Sequence, residues 1–329
     1  MTGDPEAWAR RIDPEIRSVL DLVPRLDLTD IATARRERSE LAARAAEGHV
    51  PPPFVRTEER RVPSWPDGEP DVVVRVHEPA EQSASPRPAL LWVHGGGHVL
   101  GSASQDDPLL QDLVARAGCV AVAVEWRRAP EDPYPAAVHD AYAALRWMAG
   151  DPALDPGRLV VGGASSGGGA AAGLALLARD RAEVRVAGQV LVYPMLDDRD
   201  VTESSREVRD PRLWNNDSNR LGWGAYLSGL DGGEVPPYAA PARATDLRGL
   251  PSTWLATGEL DLFRDEDIEY ASGLLAGGVP TELHVYPGAV HGFDLFAPEA
   301  AVSRRYRRDR DEAFDRFVGV VPAGSPEAG

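Results

Sequence analysis

From about residue 55 onward, short apolar runs alternate with longer stretches of helical periodicity. The apolar runs fall at 54–62, 72–77, 90–94, 120–124, 159–162, 189–193, 253–257 and 282–286. Most are continuous rather than alternating, which is the pattern of parallel strands buried on both faces. Between them, 107–117, 136–149, 167–179, 265–276 and 299–318 read as helices. Strand and helix in turn predict an α/β fold built on a doubly wound, mostly parallel, eight-stranded sheet. The first two runs are joined by the Pro/Gly-rich turn 63–70, which leaves no room for a crossover helix, so they should pair antiparallel.

The first fifty residues carry a different pattern. Asp13-Pro14 is a helix start, with an N-cap followed by proline at the first helical position. Ile16, Val19, Leu20 and Val23 recur at helical spacing, and a second helix is expected over 30–46, with Gly48 just beyond its end. Residues 1–50 thus read as a helical cap over a main domain at 51–321. A long insertion at about 197–241, carrying Trp214, Trp223, Tyr226 and Tyr238, reads as a lid or binding wall. Segment 81–88 reads as an exposed loop, and 322–329 as a disordered tail. No internal repeat is visible.

Charge narrows the partners. The 329 residues include 52 acidic and 35 basic side chains, a formal net charge of −17. That field repels nucleic-acid phosphates and anionic lipid headgroups, so neither nucleic acid nor membrane is an expected partner. The single cysteine, Cys119, sits in an apolar strand and reads as a buried thiol. One cysteine cannot form an internal disulfide, so nothing calls for an oxidising compartment. The first residues lack a signal peptide's apolar core, and no stretch reaches 18 uninterrupted apolar residues. The expectation is a soluble cytoplasmic protein.

The candidate chemistry starts at Gly163-Ala164-Ser165-Ser166-Gly167, which follows a predicted strand and precedes a predicted helix. In that setting a G-x-S-x-G sequence holds a serine on a tight turn, clear of the sheet edge. The following helix offers free N–H groups to developing negative charge. Ser166 is a rival nucleophile, but its frame opens on Ala164 rather than glycine, so steric room favours Ser165.

Upstream, His94-Gly95-Gly96-Gly97 follows another strand. Three glycines let backbone N–H groups approach a substrate and hold a tetrahedral oxyanion. Gly96 and Gly97 are the candidate donors, with Ser166. Gly95, His98 and Trp214 are candidate substrate contacts.

A serine needs a base, and the base needs an orienting carboxylate. Of seven histidines only His284 and His291 follow the serine motif; His284 lies inside a strand, and His291 in the loop beyond it. Catalytic groups gather at such strand ends in open α/β sheets. For the carboxylate, Asp261 is favoured, with Glu259, Asp265 and Asp267 competing; Asp265 could instead cap the next helix.

With those residues in place, the chain resembles the hormone-sensitive-lipase-like, HGGG-motif (bacterial family IV) esterases of the α/β-hydrolase fold, over roughly residues 55 to 318. Five segments carry the resemblance in order. They are His94 to Gly97, Glu125 to Glu131 with Pro133 to Ala136, Gly163 to Gly168, Gly258 to Glu266, and His291-Gly-Phe293. Ala164, His98, Trp126, Arg128 and Leu262-Phe263 depart from the family pattern, which bears on pocket shape. Glu131 and Asp140 read as structural. The resemblance implies a serine esterase for small or short-acyl esters, working through an acyl-enzyme, with no metal and no cofactor. An acyltransferase or lactonase would use the same triad, and a non-catalytic receptor is the third reading. A peptidase of related type would need a large extra domain. A homodimer is compatible with all of them.

Overall fold

The computed structural model describes residues 5–230 and 232–319; the tail expected at 322–329 lies outside them. Eight strands form one sheet: β1 (Val55–Val62), β2 (Val72–Pro79), β3 (Arg87–Val93), β4 (Val120–Glu125), β5 (Leu154–Ala164), β6 (Gly188–Val192), β7 (Ser252–Gly258) and β8 (Thr281–Tyr286). Their spatial order is β1-β2-β4-β3-β5-β6-β7-β8. β2 runs antiparallel to both β1 and β4, and every other pairing is parallel. The continuous apolar runs explain this. β4 and β6 are buried at nearly every residue, because helices cover both faces. β1 carries charges at five of its eight positions, four of them consecutive from Glu58 to Arg61, and sits at the edge.

The helices are α1 (Pro5–Arg10), α2 (Pro14–Leu20), α3 (Ile31–Ala46), α4 (Asp107–Ala117), α5 (Ala136–Gly150), α6 (Ser166–Arg181), α7 (Glu203–Glu207), α8 (Asn216–Tyr226), α9 (Arg264–Ala276), α10 (Phe293–Phe296) and α11 (Ala301–Val318). The start of α2 is set by Asp13, whose carboxylate accepts from Glu15 N at 2.8 Å; Asp30 does the same for α3, accepting from Thr33 N at 3.1 Å. The helix ends fall within two residues of expectation, but two of them are closed differently. α9 begins at Arg264, so Asp265 is not its cap; its carboxylate accepts from Ser204 N at 2.8 Å instead. The turn after α3 is closed by Glu47 in right-handed conformation, not by a left-handed Gly48.

Helix α6 is the buried spine. After Ser166 its first turns are glycine and alanine, because β3 and the chain beyond β6 approach too closely for larger side chains. A methyl on Gly167 would lie 2.0 Å from Val93 O, and one on Gly169 would lie 2.0 Å from Met195 O. The N-terminal segment joins the same end of the sheet. Asp13 N donates to Gly288 O at 2.9 Å, and Leu26 N donates to Pro211 O in the insertion at 2.8 Å. Arg35 on α3 reaches Val99 O (2.7 Å), Ala129 O (2.8 Å) and both oxygens of Glu131 (2.8 Å each).

Candidate active site

Register brings the candidate residues together. Val93 pairs with Gly163, Ala164 with Val192, and Gly258 with Tyr286. The loops carrying Gly95–Gly97, Ser165, Asp261 and His291 therefore leave one edge of the sheet, at the C-terminal ends of parallel strands. Strand order reverses at β3, with β4 on one side and β5 on the other, which opens a crevice there.

Ser165 stands between β5 and α6 with φ +57° and ψ −125°, a conformation an L-residue rarely adopts. Such a position costs on the order of 1–3 kcal/mol and persists only when surroundings enforce it. Here they do: Ser165 N donates to Val192 O (2.9 Å), while Ser165 O accepts from Met195 N (2.9 Å) and Gly169 N (3.0 Å). Ser165 Oγ lies 3.0 Å from His291 Nε2, and His291 Nδ1 lies 2.8 Å from Asp261 Oδ2. Asp261 is fully buried, and its other oxygen accepts from Phe263 N at 2.9 Å. Both carboxylate oxygens are thus occupied, which fixes the imidazole as an Nδ1–H donor to Asp261 and leaves Nε2 to accept from the serine.

The rival residues go elsewhere. Ser166 is buried within α6, its hydroxyl without a partner among the described residues. Glu259 pairs with Arg11 at 2.8 Å and accepts from Gly288 N at 2.9 Å. Asp265 pairs with Arg264 at 2.7 Å. Asp267 is buried with no hydrogen-bond partner among the described residues, and burial pushes it well above the usual carboxylate range. Burial pushes Glu266 up likewise, although it accepts from Leu196 N and Asp197 N. His284 bonds Glu282 at 2.6 Å, away from the serine.

The glycine loop is shaped by its neighbours. Gly96 O accepts from Val99 N (3.1 Å) and Leu100 N (2.8 Å), making a tight turn. The buried His94 ring stacks on Trp126 with centroids 4.9 Å apart and bonds Gly95 O at 2.9 Å; burial lowers its pKa to about 3, so it donates as a neutral ring. Gly97 has φ +59° and lies directly against the Trp214 indole. Gly95 abuts Ser165: a methyl there would fall 3.3 Å from its Cβ. Among the described residues, no backbone carbonyl accepts from the N–H groups of Gly96, Gly97 or Ser166.

His98 corrects the sequence reading. Its ring is 1% exposed and stacked on Tyr226 at 3.9 Å, with Trp126 and Trp223 alongside, so it packs the insertion onto the loop rather than facing substrate. One residue passed over in the sequence stands beside His291. Tyr193, the last residue of the apolar run at 189–193, sets its ring edge-on to His291 at 4.7 Å. Phe263 does the same from the other loop at 5.1 Å. Glu131 and Asp140 hold Arg35 and Arg127, as structural residues would.

A strained serine after a parallel strand, linked through an imidazole to a buried carboxylate and facing unpaired amides, defines a serine hydrolase of acyl-transfer type. Comparison with known proteins agrees. The family described as "alpha/beta hydrolase fold" matches residues 90–295. The chain is 36% identical over 306 residues to carboxylesterase NlhH of Mycobacterium tuberculosis, covering 89% of this chain and 92% of that protein. Among solved structures, a bacterial heroin esterase superposes with TM-score 0.89 at 41% identity, covering 94% of this chain and 98% of that one. Esterase LipW from Mycobacterium marinum superposes with TM-score 0.82 at 36% identity, covering 96% and 99%. The chain belongs to the α/β-hydrolase fold family, in its hormone-sensitive-lipase-like branch, and is a serine carboxylic-ester hydrolase. Among the described residues no helix is long and apolar enough to cross a membrane.

Proposed function

We propose that Ser165, His291 and Asp261 hydrolyse small esters of short acyl chains through an acyl-enzyme. The observation that carries this reading is the continuous chain of contacts, 3.0 Å from Ser165 Oγ to His291 Nε2 and 2.8 Å from His291 Nδ1 to Asp261. Ser165 Oγ attacks the ester carbonyl while His291 takes its proton. The N–H groups of Gly96, Gly97 and Ser166 receive the oxyanion, and each such donor is worth about 2.7–4 kcal/mol of barrier. His291 then protonates the departing alcohol, and in the second half activates water to release the acid. Asp261 holds the tautomer and stabilises the imidazolium without taking the proton.

The short-chain preference is supported by Trp214. Its indole is 7% exposed and rests on the oxyanion loop at Gly97, so a bulky wall stands beside the carbonyl site. The test is a series of 4-nitrophenyl esters from acetate to decanoate with wild type, Ser165→Ala and Trp214→Phe. Ser165→Ala is expected to be inactive while folded, and turnover to peak at short chains, with the optimum lengthening in Trp214→Phe. Undiminished turnover by Ser165→Ala would remove the mechanism, and a long-chain optimum in wild type would remove the size preference.

A further inference from the structure

The base is braced from behind by a tyrosine–carboxylate pair. Tyr193 follows the end of β6, is 3% exposed, and has φ +33°, unusual for a bulky residue. Its backbone is pinned by Tyr193 N donating to Ala256 O at 2.6 Å. Its ring meets the His291 ring at 65° with centroids 4.7 Å apart, and its hydroxyl donates to Asp294 Oδ1 at 2.9 Å. Asp294 lies on α10, three residues beyond His291 in the same turn of chain. The rest of α10 is seated by Phe293, whose ring packs on Tyr286 and Tyr306 at 5.8 and 5.3 Å. Tyr193 therefore touches the imidazole with its ring and ties the downstream segment with its hydroxyl, closing a bracket around His291.

We infer that Tyr193 and Asp294 are positioning residues for His291, the tyrosine fixing the ring's plane and the Asp294 carboxylate favouring the imidazolium that forms during reaction. This rests on His291 being the base, as proposed above. Other groups also face Asp294: Tyr306 and Arg310 from α11, Asp106 from the turn before α4, and His291 from its own segment. Arg310 is 8% exposed and bonds Asp311 at 2.8 and 3.0 Å, so part of its charge is committed there. Asp106 accepts from Trp92 Nε1 at 2.8 Å, and burial pushes it up to about 7, so it titrates in the same range and needs its own control.

The test is the pH profile of kcat/KM for 4-nitrophenyl butyrate in Tyr193→Phe, Asp294→Asn and Asp106→Asn, with melting curves to establish folding. Removing a neighbouring negative charge disfavours the imidazolium. In Asp294→Asn the acid limb should move down by about half a pH unit while plateau kcat falls about tenfold at similar KM, since misplaced groups cost rate more than binding. Tyr193→Phe keeps the ring, so kcat should fall while the acid limb moves less than in Asp294→Asn. Asp106→Asn should leave the limb in place. An acid limb that moves equally in Asp106→Asn, or stays fixed in Asp294→Asn, would overturn the inference. So would wild-type kcat in both Tyr193→Phe and Asp294→Asn. An active Ser165→Ala would instead defeat the underlying mechanism, so the two failures are separable.

Discussion

Replacing Gly97 by alanine should cripple the oxyanion loop through a collision with one side chain. A β-carbon built on Gly97 would lie 1.8 Å from Trp214 Cη2, 2.4 Å from Cζ2 and 2.5 Å from Cζ3. Carbon atoms rest about 3.5–4.0 Å apart, so about 2 Å of separation must be found. The indole cannot easily supply it. It is a rigid plate, Nε1 donates to Asn219 Oδ1 at 3.3 Å, and Gly222 of α8 packs so near that a methyl there would sit 3.1 Å from Cζ2. The loop must move instead, taking the Gly97 N–H with it. Alanine at φ +59° adds a left-handed penalty of about 1–2 kcal/mol. Loss of one oxyanion donor costs about 10²–10³ in kcat. The expected result for Gly97→Ala is therefore about 100-fold lower kcat on 4-nitrophenyl butyrate, with KM little changed. The double variant Gly97→Ala/Trp214→Phe shortens the offending ring and should recover at least about tenfold, although Trp214→Phe alone should gain nothing on this substrate. Near wild-type kcat in Gly97→Ala, or no recovery in the double variant, would refute both the contact and the donor role.

Further predictions concern stability. Gly224→Ala on the open face of α8 meets nothing within 4 Å and should stabilise by about 1 kcal/mol, whereas Gly169→Ala, 2.0 Å from Met195 O, should destabilise by about 1–3 kcal/mol or more despite the same gain in helix propensity; urea midpoints separate the two. Burial lowers the His98 pKa to about 3, so the folded state favours its neutral ring and stability is lost as pH falls from the unfolded value near 6.5 towards 3. Chemical denaturation of His98→Phe between pH 6.5 and 5 should show a slope with pH smaller by about 0.7 kcal/mol per unit at the upper end, rising towards about 1.4 at the lower. Asp106 is raised to about 7, so its contribution is present below pH 3.8 and lost as pH rises to about 7. Asp106→Asn should accordingly melt higher than wild type at pH 8, with the gap narrowing by pH 4.

Much of this was legible in the chain because the sheet writes itself in continuous apolar runs. All eight strands lie where those runs fall, and the antiparallel β1–β2 pairing follows from the short turn at 63–70. Serine, aspartate and histidine candidates were visible because each sits just past such a run. What stayed hidden depends on contacts between distant segments. His98 reads as a loop residue open to substrate, but Trp223 and Tyr226 from the insertion close over it. Asp265 reads as a helix cap until Ser204 of the insertion donates to it. Tyr193 looks like one more strand apolar residue, and only the fold sets it against a histidine about a hundred positions later.

The bare inner face of α6 has a consequence for how this enzyme can diversify. Ser165 is aligned by main chain pressed on main chain, with Gly167 against Val93 and Gly169 against Met195. The side chains packed on the neighbouring glycine loop come from another part of the polypeptide, the long insertion, with Trp214 against Gly97 and Trp223 and Tyr226 against His98. A change in that insertion can therefore reshape the outer wall of the loop while the turn carrying Ser165 stays in register.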